Sequence, residues 1–105
     1  LVGSLLLLDE PTSALDLAHQ QQVLLAVRQL TRRGCSVVLV IHDLNLAASI
    51  ADQILVLDKG NQAALGSPDQ VFTRKLFNEV FDVDVTISTH PQGGFPLITP
   101  CRQFL

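Results

Sequence analysis

Four leucines, residues 5–8, run without interruption into the adjacent carboxylates Asp9 and Glu10. A short unbroken apolar run predicts a strand with both faces buried, as in a parallel sheet covered by helices. The two acids then stand at the carboxyl end of that strand, where open α/β sheets take their ligands. Neighbouring carboxylates repel one another, so a divalent cation or a proton is their expected companion. This feature confines the chain to an α/β architecture and places its chemistry at one edge of the sheet.

The downstream pattern completes a βαβ unit. Asp16 can cap a helix over residues 17–33, because its carboxylate accepts from free amides in the first turn. Leu17, Val23, Leu24, Val27 and Leu30 fall on one stripe at helical spacing, with Gln21, Gln22, Arg28 and Arg32 elsewhere. Arg32 and Arg33 suit the negative end of the helix dipole, and Gly34 suits the stop. Residues 36–41 read as a second buried strand, reached by a right-handed crossover.

Asp43 can cap a helix over residues 44–51, and residues 53–57 read as a third strand. Residues 58–61 form a turn, with a short strand at 62–65 pairing back. Ser67-Pro68-Asp69-Gln70 has the capping-box pattern with Pro at the first helical position. Helices over 68–72 and 74–81 follow. Val83, Val85 and Ile87 alternate with Asp84, Thr86 and Ser88 as a half-buried strand, and residues 90–94 turn the chain into a return strand at 95–99.

Composition narrows the function. A chain of 105 residues permits one domain. A net charge of −3 with 16% charged residues gives no basic patch for nucleic acid. The longest aliphatic runs are far too short to cross a bilayer. Cys35 and Cys101 lack metal-ligand spacing and read as reduced thiols. With no Met and an opening almost inside a strand, the chain reads as the internal-to-C-terminal part of a longer protein.

Leu5-Leu6-Leu7-Leu8-Asp9-Glu10-Pro11-Thr12-Ser13-Ala14-Leu15-Asp16 resembles the Walker B and D-loop of ABC transporter ATPases, a family of P-loop nucleotidases. His42, after Val37-Val38-Leu39-Val40-Ile41, resembles that family's switch histidine. The likeness runs through nearly the whole chain. It implies a partial P-loop nucleotidase core of parallel strands and helices, plus a small C-terminal helical segment and β-hairpin. Residues 1–66 would form the Walker B, D-loop and switch-histidine core, and residues 67–105 the C-terminal helices and hairpin of the same domain.

The resemblance also implies a chemistry, ATP hydrolysis with Mg²⁺. Hydrolysing a terminal phosphate is mostly positioning and charge stabilisation. Asp9 would hold Mg²⁺ through water, and Glu10 would orient and deprotonate the attacking water. His42 would reach the same phosphate from one or two strands away, at about 4.8 Å per strand. Ser13 and Asp16, in the D-loop, would communicate with the nucleotide site of a second ATPase subunit. Asp16 serves equally as a plain helix cap.

Asp16-Leu17-Ala18-His19-Gln20 and His42-Asp43-Leu44-Asn45-Leu46-Ala47-Ala48 resemble the subfamily serving haem, ferric-siderophore and cobalamin importers. His19-Gln20 and the tail from His90 to Pro100 look most like haem importer ATPases. The implied partners are a second ATPase copy in a homodimer, membrane permease subunits and, indirectly, a periplasmic binding protein. The implied location is the cytoplasmic face of a bacterial inner membrane. His19 and His90 are read as exposed surface positions, not haem ligands.

Alternative readings are an ATPase for ferric-siderophore or cobalamin import, an ABC-type ATPase without a transport role, and a non-enzymatic remnant. The tandem cassettes or coiled-coil insertions of the non-transport class do not show in the sequence, and intact Asp9, Glu10 and His42 argue against decay. One departure from the family is the run Gln62-Ala63-Ala64-Leu65, which weakens the strand signal after Lys59-Gly60. Neither Lys59 nor Lys75 belongs to a Gly-x-x-x-x-Gly-Lys-Ser/Thr loop, and the family's signature sequence is missing too. Without that cradle, these residues alone are expected to bind ATP poorly and not to hydrolyse it. Three parallel strands plus a hairpin would leave one face or edge open, which predicts poor solubility.

Overall fold

The computed structural model describes the backbone of residues 5–9 and 16–101, with side chains for Leu8 and residues 16–101. Two compact units divide the chain, Leu1–His42 and Asp43–Leu105.

In the first unit, β1 (Leu5–Asp9) lies parallel to β2 (Ser36–Val40), and α1 (Leu17–Arg32) connects them. Asp16 starts α1 as expected: its Oδ1 accepts from the His19 N–H at 2.9 Å. The helix stops where Gly34 takes φ 90°, a left-handed conformation that glycine adopts without a Cβ penalty. There the Gly34 N–H bonds to the Thr31 carbonyl and the Cys35 N–H to the Leu30 carbonyl, satisfying the last turn. Val27 is the buried centre of the packed helix face.

Two sequence expectations fail in this unit. Leu17 is 80% exposed, although it counted toward the apolar stripe. Ten residues separate it from Val27, which puts it about 80° off the packed direction at the α-helical pitch. Gln20, half-buried, sits on the packed side instead. The second strand is also not buried on both faces: Val38 and Val40 are 49% and 44% exposed, while Val37 and Leu39 are half-buried. α1 packs against β2 and covers one face, and the apolar run carries no signal that distinguishes the face left open.

The second unit is built from α2 (Leu44–Ile50), β3 (Ile54–Asp58), β4 (Asn61–Gly66), α3 (Pro68–Val71), α4 (Arg74–Val80), β5 (Val85–Thr89) and β6 (Pro96–Pro100). Its core joins Ala48, Ile54, Val56, Val71, Phe72, Leu76, Phe77, Val85 and Ile98. Phe77 packs between Phe72 and Phe81, with ring centroids 5.5 and 5.4 Å away.

Each helix start in this unit is a side-chain cap. Asp43 accepts from the Leu46 N–H and Thr73 from the Leu76 N–H, while Ser67 and Gln70 form a reciprocal capping box.

The fourth strand pairs back on the third, as the turn at residues 58–61 predicts. β3 pairs antiparallel with β4, and among the described residues the parallel pairing is between β1 and β2. The turn decides this: Lys59 and Gly60 both take positive φ, 52° and 81°, the two-residue turn whose twist matches a hairpin. The weak strand formers of β4 are carried by that turn and by Leu65 opposite Leu55, with an irregularity between Val56 and Leu57.

The fifth strand begins at Val85 rather than Val83. Asp82 takes φ 53°, and the Val83 N–H turns back to the Phe77 carbonyl, so residues 81–83 close α4 instead of extending a ladder.

Candidate functional site

The register of β1 and β2 builds the site. Asp9 ends β1 opposite Val40, which ends β2. The strands are parallel, so their carboxyl ends lie side by side, about 4.8 Å apart as neighbouring strands are. His42 follows Val40 by two residues and is exposed. The chain therefore leaves both strands at one edge of the sheet, with Asp9 on one exit and His42 just beyond the other. Glu10 and Ser13 lie outside the described residues, as does the turn at residues 11–15.

Asp16 stands at the α1 N-cap. Its Oδ1 accepts from both the backbone N–H and the ring Nδ1 of His19, each at 2.9 Å. The backbone amide first and the ring second hold the Asp16 carboxyl below its ordinary value. Both side chains are exposed, so the pair is a surface cap stabilised by the positive end of the helix.

Among the described residues, no three His, Cys, Asp or Glu side chains cluster as a metal site. A cation at Asp9 would draw its remaining ligands from water and from the nucleotide, which is how Mg²⁺ is commonly held beside phosphates. A strand-end carboxylate suits that arrangement.

Sequence reasoning placed His90 on open surface. It is instead half-buried, its ring stacked on Phe95 at 4.4 Å, with Nδ1 accepting from the Gln92 N–H at 3.2 Å. Sequence reasoning also assigned no structural role to Asn45. Its side chain bonds both backbone groups of Ile98, a contact between residues 53 apart that local pattern does not report. Both cysteines are free thiols.

No protein-family model matches the chain. The chain is 48% identical over 98 residues to the hemin import ATP-binding protein HmuV of Thermobifida fusca, covering 93% of this chain and 34% of that protein. It is 51% identical over 96 residues to the protein of the same name from Pseudomonas entomophila, covering 91% of this chain and 38% of the relative. The chain thus spans about a third of the length of these curated relatives. A solved structure described as an inward-facing ABC transporter of metal-chelate type superposes with a TM-score of 0.78 at 31% identity, over 96% of this chain and 42% of that one.

Proposed function

Because the chain belongs to the ATP-binding proteins of ABC transporters, we propose that it supplies the Walker B, D-loop and switch-histidine portion of an importer's ATP-hydrolysing subunit. The cargo of that importer is hemin or a related iron chelate. The observation that supports this reading is the Asp9–Val40 register, which sets the carboxyl ends of β1 and β2 side by side.

The roles follow from what phosphoryl transfer to water requires. Glu10 orients the attacking water and accepts its proton. His42 donates a hydrogen bond to the terminal phosphate and holds it in line. Asp9 carries Mg²⁺ through water, and the cation supplies charge neutralisation at the phosphate oxygens. Ser13 and Asp16 face the nucleotide of a second subunit in a homodimer. The phosphate-cradling loop and signature sequence come from the remainder of the subunit, so these 105 residues alone do not turn over ATP. The 67–105 region completes the same domain.

The partners are membrane permease subunits and, through them, a periplasmic binding protein. No helix among the described residues is long and apolar enough to cross a membrane. The place proposed for the subunit, against the permease at the cytoplasmic face of the inner membrane, rests on its likeness to importer ATP-binding proteins.

The test uses the full-length subunit. Wild type hydrolyses MgATP, whereas Glu10→Gln binds ATP and loses turnover by several orders of magnitude. A Glu10→Gln protein that hydrolyses at the wild-type rate overturns the assignment. Transport into vesicles holding the permease, supplied separately with hemin, a ferric siderophore or cobalamin, decides the cargo; uptake of the siderophore or cobalamin alone contradicts hemin.

A further inference from the structure

The β5–β6 hairpin has two outer edges, and only one of them is sealed. The Cys101 N–H bonds to the Asp84 carbonyl and the His90 N–H to the Phe95 carbonyl, so the ladder runs one residue past β5 at each end. Alternation then turns the backbone groups of Thr86 and Ser88 toward β6 and those of Val85, Ile87 and Thr89 outward. On β6 the outward positions are Pro96, Ile98 and Pro100. The two prolines have no N–H. The Ile98 N–H donates to Asn45 Oδ1 at 2.7 Å, and the Ile98 carbonyl accepts from Asn45 Nδ2 at 3.0 Å. Those three positions leave no donor for another strand.

The β5 edge has none of these guards. Its residues are Val, Thr, Ile, Ser and Thr, without charge, proline or register shift. The Val85 N–H turns to the adjoining Asp84 carboxylate. Among the described residues, nothing takes the outward N–H or carbonyl of Ile87 or Thr89.

We propose that the open β5 edge pairs antiparallel with β5 of a second copy of this chain, about a two-fold axis at Ile87. Residues 84–90 are self-complementary in that register. Ile87 meets the partner's Ile87 and exchanges main-chain bonds with it, and the Thr89 N–H reaches the carbonyl of the partner's Val85. On the exposed face Thr86 meets the partner's Ser88, and Asp84 meets the partner's His90. His90 Nδ1 accepts from the Gln92 N–H, which leaves the neutral ring its proton on Nε2, a donor suited to a carboxylate. No like charges are opposed anywhere along the pair. Both outer strands of the joined sheet are then sealed β6 edges, so the assembly stops at two copies. The contact goes beyond the nucleotide chemistry proposed above and needs no ATP.

Sedimentation of the full-length subunit without nucleotide tests this, because any contact that nucleotide brings about is then left out. Wild type is expected to dimerise, with the Ile87 and Thr89 amides protected from hydrogen exchange. Thr86→Lys with Ser88→Lys opposes like charges at both exposed pairs and should weaken the dimer about tenfold or more. Thr86→Lys with Ser88→Glu opposes unlike charges in the antiparallel register and should restore the dimer to within about threefold of wild type. Both positions are exposed, so the fold should be kept.

A wild-type monomer overturns the proposal, whether Ile87 exchanges freely or is covered by another part of the same subunit. A dimer indifferent to the paired lysines, or one that the Lys–Glu combination does not rescue, overturns it too. If the substituted chains melt early, wild-type exchange decides: protection at Ile87 that vanishes on dilution supports the pairing, and protection independent of concentration overturns it.

Discussion

Asp9 and Val40 are register partners at the carboxyl ends of two parallel strands, with His42 two residues beyond Val40. A ligand that meets the end of β1 therefore also meets the exit from β2. Two residues 33 positions apart come to one edge through the βαβ crossover, and the length and caps of α1 make that return possible. Local errors in α1 accordingly propagate to the site.

Asp16 offers the first check on those caps. Its carboxyl is held below the ordinary value of 3.8, by the His19 amide first and the His19 ring second. A depressed carboxylate contributes stability that is fully present above the unfolded value and is lost as pH falls through the folded one. Asn caps as well as Asp but carries no charge. Asp16→Asn is therefore expected to retain the helix at pH 7. The difference in urea midpoint between the two proteins should shrink as pH drops below 3.8. A difference that is constant from pH 7 to strong acid contradicts the assignment.

Lys59 occupies a left-handed position that Asn tolerates better. Lys59→Asn creates the Asn-Gly pair preferred in two-residue hairpin turns and should raise stability by about 0.5 kcal/mol. Equilibrium unfolding in urea measures it. A loss of stability would show that the Lys59 side chain makes contacts worth more than its backbone strain.

Phe77 is 1% exposed between two other rings. Phe77→Ala should cost about 3–5 kcal/mol, the usual range for emptying a buried aromatic site. Phe77→Leu should cost less, because it leaves a smaller void. An Ala variant within about 1 kcal/mol of wild type would mean that the site collapses around the gap.

Val38 stands on the open face of β2. Val38→Thr keeps a β-branched shape while reducing apolar exposure. Self-association measured by light scattering should fall, with stability unchanged to about 0.5 kcal/mol. A marked drop in melting temperature would show that this face is packed.

Much of this architecture is legible in the sequence, because its signals are local. Asp16, Asp43 and the Ser67–Gln70 box mark helix starts, and Gly34 and Lys59-Gly60 mark a stop and a turn. Each acts within a few residues, so pattern alone finds it. The misread elements depend on what lies across space. The open face of β2 and the Asn45–Ile98 bond are set by tertiary neighbours that no local window contains. Val83 fails for an intermediate reason: alternation suits a strand, but the left-handed Asp82 spends the Val83 amide on Phe77. The strand-exit positions of Asp9 and His42 are legible because each directly follows an apolar run, and the parallel register brings the two exits together.

The central claim is that Asp9 and His42 surround one nucleotide terminus. Mn²⁺ in place of Mg²⁺, bound with ATP to the full-length subunit carrying labelled histidines, tests it most directly. The account predicts that the His42 ring signal, identified by its loss in His42→Asn, broadens strongly on Mn²⁺-ATP binding and recovers when Asp9→Asn weakens the cation. A His42 signal that stays sharp while Mn²⁺-ATP is fully bound contradicts the account.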